Sequence, residues 1–228
     1  MSKIIYAANH PSFIDKIVAN KRMEIITLIK KKVHLNDIVS CLDVGTTEDF
    51  ENTSSNIIIK NFSNIKIRKS LSNQNINTKF FNTIIKKSIT DDFTNEEINI
   101  LSSDLVISSA TIEHVGSNKN QIKMIKNIID LSNKYFIITT PNRFHPIDFH
   151  TKLPLLHWLP KPIHRIILKI IGFKYFSDEE KLNLLSKKDL IDMINKVNYN
   201  QAEILVETIN LFGFVSNFII FGRIKTNI

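Results

Sequence analysis

An α/β fold is what this chain of 228 residues predicts: a doubly wound sheet of about seven strands, mostly parallel, ending in an antiparallel hairpin. Three observations carry that expectation. Short apolar runs alternate along the chain with stretches of helical period, as crossover units require. Several of these runs are continuously apolar, "DLVIS" (104–108) among them, as strands covered on both faces are. The last two runs are linked too briefly for a parallel crossover, so they must pair antiparallel.

Each element follows from local pattern. "HPSFIDKIVANKRMEIITLIKKKV" (10–33) has helical spacing and predicts one or two N-terminal helices. "DIVSCLDVG" (37–45) is the first strand, and "TSSNIIIKNF" (53–62) begins a helix with Ser or Thr available as cap. "IKIRKSL" (65–71) and "TIIKKSI" (83–89) are strands two and three. "TNEEINIL" (94–101) suits a short helix with a Thr cap and an acidic first turn. "SDLVISSATIEHVG" (103–116) opens with the continuous apolar run of strand four, "NKNQIKMIKNIIDLSNK" (118–134) is an amphipathic helix and "YFIITT" (135–140) strand five. "SKKDLIDMINKV" (186–197) is a capped helix, and 202–224 holds two strands around Gly213.

Composition bounds the rest. With 43% hydrophobic residues the chain can bury one core, so a single domain over 1–228 is expected. No apolar run reaches the ~20 residues of a membrane span, and the start of the chain has no signal-peptide pattern. Cys41 is the only cysteine and lies in a core strand, a plain buried thiol that fits a reducing cytoplasm. The net charge of +8 suggests an acidic partner. Only five basic residues are arginine, however, and none cluster with stacking aromatics, which argues against nucleic acid.

In an open parallel sheet, ligands bind beyond the carboxyl ends of the strands. That places Asp43, Gly45, Thr46, Thr47, Glu48 and Asp49 on the rim after strand one, and Asn73 and Gln74 after strand two. Asp91 and Asp92 follow strand three; Ser108, Ala110, Glu113 and His114 follow strand four; Asn142 and Arg143 follow strand five. The rim has no G-x-G-x-x-G and no P-loop lysine, so a dinucleotide or triphosphate is disfavoured. Its carboxylates suit ribose hydroxyls and an amino group.

"LDVGTTED" (42–49), "DLVISSATIEHV" (104–115) and the closing "LFGFVSNFIIFGR" (211–223) resemble class I S-adenosylmethionine-dependent methyltransferases. The resemblance spans about residues 35 to 224 and implies a Rossmann-like sheet with S-adenosyl-L-methionine as cofactor. It would make Asp43, Val44, Gly45 and Thr46 the first cofactor motif, Asp91 or Asp92 the acid near the adenine, and Ser108 and Ala110 the end of strand four. Two departures stand out: the usual G-x-G is Gly45-Thr46-Thr47, and the acid expected after strand two is replaced by Asn73 or Gln74. "SATIEHVGSNKNQ", "TTPNRFHPIDFHTKLPLLHWLPK" and "EEKLNLLS" further resemble a bacterial subgroup of methyltransferase-domain proteins, with cell-envelope and glycan settings as the implied context.

The chain then divides into a cofactor half (35–140), a lid or acceptor segment (141–176) and a C-terminal helix and hairpin (177–228). Five of the six prolines lie between Pro141 and Pro162, and the segment from Pro141 to Tyr175 also holds four histidines and the only tryptophan. A stiff lid over an acceptor pocket is expected, with Glu113, Asn142, Arg143 and Trp158 touching substrate. A general base for an acceptor hydroxyl would come from His114, His145 or His150. His150, His157 and His164 are seven apart, but the intervening prolines break any helix that would align them; with no metal motif either, no metal is expected. The stretch 153–176 mixes apolar residues with Lys161, Arg165, Lys169 and Lys174, a composition that also suits a membrane surface. The resulting expectation is methyl transfer to a hydroxyl of a sugar or lipid-linked glycan, in the cytoplasm or at the inner membrane face. A non-catalytic binding protein and a peripheral membrane protein are the alternatives.

Overall fold

A computed structural model describes residues 13–51, 55–197 and 200–225, with only the backbone given for 13–19. All seven strands belong to one sheet, ordered β3-β2-β1-β4-β5-β7-β6. The strands are β1 (Ser40–Val44), β2 (Ile67–Ser72), β3 (Thr83–Lys86), β4 (Ser103–Ser109), β5 (Ser132–Pro141), β6 (Ala202–Leu211) and β7 (Phe214–Ile224). The first five are parallel, and β7 runs antiparallel to both β5 and β6. From β1 the chain winds outward through β2 and β3, then returns to β4 on the other side. The strand order therefore reverses between β1 and β4, and their carboxyl ends are where open sheets of this kind form a ligand crevice.

Period-two alternation within the central strands builds two cores. Leu105 and Ile107 of β4 face one side with Cys41, Ile137 and Ile219, covered by α1 (Phe13–Lys32) and the single turn α2 (Ile57–Lys60). Val106 faces the other with Leu42, Val44, Phe136 and Ile138. That side is covered by α3 (Asn95–Leu101), α4 (Asn118–Asp130) and α6 (Lys187–Val197). Gly222 on β7 allows this packing, since a Cβ there would lie 2.0 Å from the Phe136 ring. Thr94 caps α3 in a capping box with Glu97, a device worth about 1 kcal/mol.

Three sequence expectations are corrected. The helix expected over 53–62 is one turn, and the supposed caps Thr53 and Ser54 lie outside the described residues. The cap position is Asn56, in the left-handed region at φ 53°, and its side chain bonds the loop after β1 instead. Strand four ends where its apolar run does, at Ser109, and 110–117 form the expected rim segment, with a 3-10 turn at Ile112–His114. Strand three ends at Lys86, which carries Asp91 and Asp92 off the rim. Within the lid, Pro160 and Pro162 do not prevent a helix but open one, α5 (Lys161–Ile170), where a missing N–H costs nothing. Cys41 is fully buried, and burial pushes its thiol up to about 12, so it is an inert core group.

Candidate functional site

At the β1 end the backbone turns sharply at Gly45, with φ +88°. A Cβ there would sit 2.2 Å from the Thr111 hydroxyl, so both the turn and the close approach require glycine. Asp43 lies beneath this turn, 5% exposed. Its carboxylate accepts a 2.5 Å bond from Thr46 Oγ1, which in turn accepts from Ser70 Oγ at 2.8 Å. Burial pushes the Asp43 carboxyl up to about 7, against the lowering effect of the Thr46 bond. The Val44 side chain is core; its carbonyl accepts the hydroxyls of Ser108 at 3.1 Å and Thr111 at 3.3 Å. Ser108 is thereby an internal brace between β1 and β4, not a group facing the crevice.

Two side chains hold the loop after Gly45, a role that the sequence does not announce. Asn56 accepts from the Thr47 amide at 2.9 Å, and Gln74 from the Glu48 amide at 2.8 Å. Gln74 is thus committed to the loop, while Asn73 is exposed beyond β2. Ala110 leaves β4 in the left-handed region at φ 51°, a strained position of the kind found at functional rims. Asp91 and Asp92 lie elsewhere. The Asp91 carbonyl accepts from Asn127 near the far end of α4, and Asp92 pairs with Lys123 at 2.7 Å. Both lie along the α4 flank, because the chain descends beside that helix after the short β3.

Beyond β4 the structure gathers Glu113, His114 and His150, two of them adjacent and the third 36 positions on. Glu113 is fully buried; Thr140 donates to its Oε2 at 2.9 Å, while its Oε1 has no partner. His114 Nδ1 meets the Lys181 carbonyl at 2.6 Å, and His150 Nδ1 meets Asp148 at 3.3 Å. The two Nε2 atoms face each other at 3.2 Å, with Glu113 Oε1 3.9 Å from that of His150. Burial draws the His114 pKa below its ordinary value. Asp148 is also buried, which would raise its carboxyl, but bonds from His150 and Thr151 hold it below the usual carboxylate range. The "DFH" spacing of Asp148 and His150 is the sequence signal for this pair.

The other lid residues serve the lid itself. Asn142 Nδ2 donates to the Val215 carbonyl at 2.8 Å, fastening the lid to β7. Arg143 donates to the carbonyls of His157 and Leu159, at 3.1 and 2.6 Å. His145 is 2% exposed and stacked on Phe149, with its carbonyl accepting from His157 and Trp158. It is a lid-core residue and does not join His114 and His150. Trp158 is 43% exposed, with its indole Nε1 donating to the His145 carbonyl at 3.2 Å. His157 and His164 lie in a 3-10 turn and on α5, so the seven-residue spacing aligns nothing with His150.

No family model and no curated protein matches the chain. Solved structures do. The magnesium protoporphyrin IX methyltransferase of Synechocystis PCC 6803 with bound SAH superposes with a TM-score of 0.54 at 12% identity, over 97% of this chain and 91% of that one. A candidate S-adenosylmethionine-dependent methyltransferase from Listeria monocytogenes gives 0.53 at 14% identity, over 92% and 100%. An O-methyltransferase family protein from Burkholderia thailandensis gives 0.53 at 6% identity, over 94% and 59%. The chain has the Rossmann-like fold of class I S-adenosylmethionine-dependent methyltransferases.

Proposed function

We propose that the chain binds S-adenosyl-L-methionine over the carboxyl ends of β1 and β4 and transfers its methyl group to a hydroxyl of a sugar or lipid-linked glycan intermediate. The observation that carries this reading is the obligatory glycine turn after Asp43 at the switch point, in a fold shared with a methyltransferase crystallised with SAM and with SAH. The methyl carbon forms a bond to the acceptor oxygen as its bond to sulfur breaks, leaving S-adenosylhomocysteine. Such a displacement asks the protein mainly to align the acceptor and exclude water. The acceptor proton passes to a base, and Glu113, His114 and His150 are the basic groups gathered beyond β4.

The lipid-linked part rests on α5, where Ile163, Ile166 and Ile170 are exposed. Among the described residues no helix is long and apolar enough to cross a membrane, so this face would lie on a surface. The reading is tested by incubating the protein with methyl-labelled cofactor and an envelope extract from its host. Label is expected in a base-stable ether of the lipid-linked glycan fraction. Label confined to protein or to base-labile esters would overturn the hydroxyl acceptor.

A second reading, a methyltransferase-fold protein that binds ligand without transferring methyl, is favoured by one observation. Thr46 and Thr47 stand where small residues are usual, and Asn73 and Gln74 where an acid is usual, while the loop's polar groups bond one another. Cofactor binding with no label in any fraction would support it.

A further inference from the structure

The group beyond β4 has an electrostatic imbalance. Lys181 offers His114 only a carbonyl oxygen, so Nδ1 of that ring must donate. Asp148 accepts from the His150 amide and from Thr151 Oγ1, so Nδ1 of His150 is likewise the donor in its contact. Each neutral ring then presents a lone pair at Nε2, and the two lone pairs face each other at 3.2 Å. Glu113 Oε1, fully buried and without a hydrogen-bond partner, adds a third acceptor. Three acceptors converge, and among the described residues no side-chain donor meets them. A proton can join two of them; a divalent cation engages all three.

We propose that Glu113, His114 and His150 form a binding site for a divalent transition-metal ion of the zinc class, with one coordination position left open. The three ligand atoms lie within 4.8 Å of one another. A tetrahedral ion with bonds of about 2.0–2.1 Å sets its ligands about 3.4 Å apart; the 3.2 Å histidine pair already fits, and the 3.9 Å pair and the third, within 4.8 Å, close by side-chain movement. Two imidazoles and one carboxylate suit zinc better than magnesium or calcium, which favour all-oxygen sets. The surroundings match what metal ligands need. His114 is oriented by the Lys181 carbonyl, His150 by Asp148, and Glu113 by Thr140. Asp148 is itself held by Thr151 at 2.7 Å. Three protein ligands and an open position are the arrangement of catalytic zinc sites, where a water or a substrate oxygen takes the fourth place. The site needs only these side chains and is independent of methyl transfer.

The test is titration of the chelator-stripped wild-type protein with zinc(II) by calorimetry, and with cobalt(II) followed by visible absorbance, with circular dichroism confirming the fold. One equivalent is expected to bind, with cobalt giving tetrahedral-type absorption that zinc displaces. His114→Gln and His150→Gln are each expected to weaken binding at least tenfold, and Asp148→Asn by about 10–100-fold through loss of ligand orientation. His34→Gln, at an exposed histidine outside the cluster, is expected to bind as wild type. A folded wild-type protein that takes up neither ion at millimolar concentration would overturn the site and leave a shared proton. Undiminished binding by both His114→Gln and His150→Gln would overturn it too, by placing the ion elsewhere.

Discussion

Asp43 and Gly45 occupy adjacent turns of the same problem: bringing polar chain over the end of a buried strand. Gly45 solves it sterically, since only a residue without Cβ fits φ +88° against Thr111. Asp43 does so at an energetic cost, being a carboxyl beneath the turn whose pKa burial pushes up to about 7. Because the folded value lies above the unfolded one, the penalty is absent below about pH 4, grows as pH rises, and is complete above about pH 7. Raising a carboxyl that far above its ordinary value costs at most about 4 kcal/mol once it is ionised. Asp43→Asn, which can still accept the Thr46 hydroxyl, is therefore expected to raise the melting temperature at pH 8 and to leave it nearly unchanged at pH 4. Scanning fluorimetry at both values checks this; a variant destabilised equally at both would show that the carboxylate serves the fold. Asp43 and Gly45 are legible in the sequence because strand end, acid and glycine are contiguous. The structural roles of Thr46 and Asn56 are not, since nothing in local pattern says that a side chain will bond its own loop.

α5 shows what an element adds to its residues. His164 and Leu168 face inward one turn apart, while Ile163, Ile166 and Ile170 face outward, the last 77% exposed. Leu155, Trp158, Leu159 and Ile171, flanking the helix in sequence, are exposed as well. Of the four basic residues in this stretch, Lys161 is bonded to Asn183 and Arg165 to Glu179, which leaves Lys169 and Lys174 at exposed positions. An apolar helix face with two such lysines suits an anionic lipid surface. The wild-type protein is expected to float with vesicles containing anionic lipid. Ile166→Glu with Ile170→Glu, both at exposed positions that leave the core intact, is expected to remain in the dense fraction. Wild type that does not float would remove the membrane surface from the proposal. The strands are the most legible elements, because fully buried strands read as unbroken apolar runs and β4 and β5 are such runs. Boundaries are less so: Ile112 and Val115 continue the apolar count of β4 toward residue 116, although the chain has already turned at Ala110.

At the scale of the whole molecule, strand order decides which residues can meet. Reversal between β1 and β4 brings the Asp43 turn and the segment after Ser109 to one crevice. The lid then returns His150 to Glu113 and His114 across 36 positions. The alternation of strands and helices makes the sheet and its closing hairpin readable from sequence. The assembly of the histidine pair is not, since it depends on how 141–185 folds back over the rim. Asn183 shows why: its amide donates to the Glu113 carbonyl at 2.7 Å and its side chain to Gly116, contacts no periodicity announces. Asp91 and Asp92 show the converse, acids placed on the rim by sequence order and removed from it by a strand of four residues. Cofactor binding at the β1–β4 crevice is the claim on which the function turns. The direct measurement is calorimetric titration of the folded protein with S-adenosylhomocysteine, repeated with Gly45→Val. Micromolar binding by wild type that the variant loses is the expected result; no heat at millimolar ligand would contradict it.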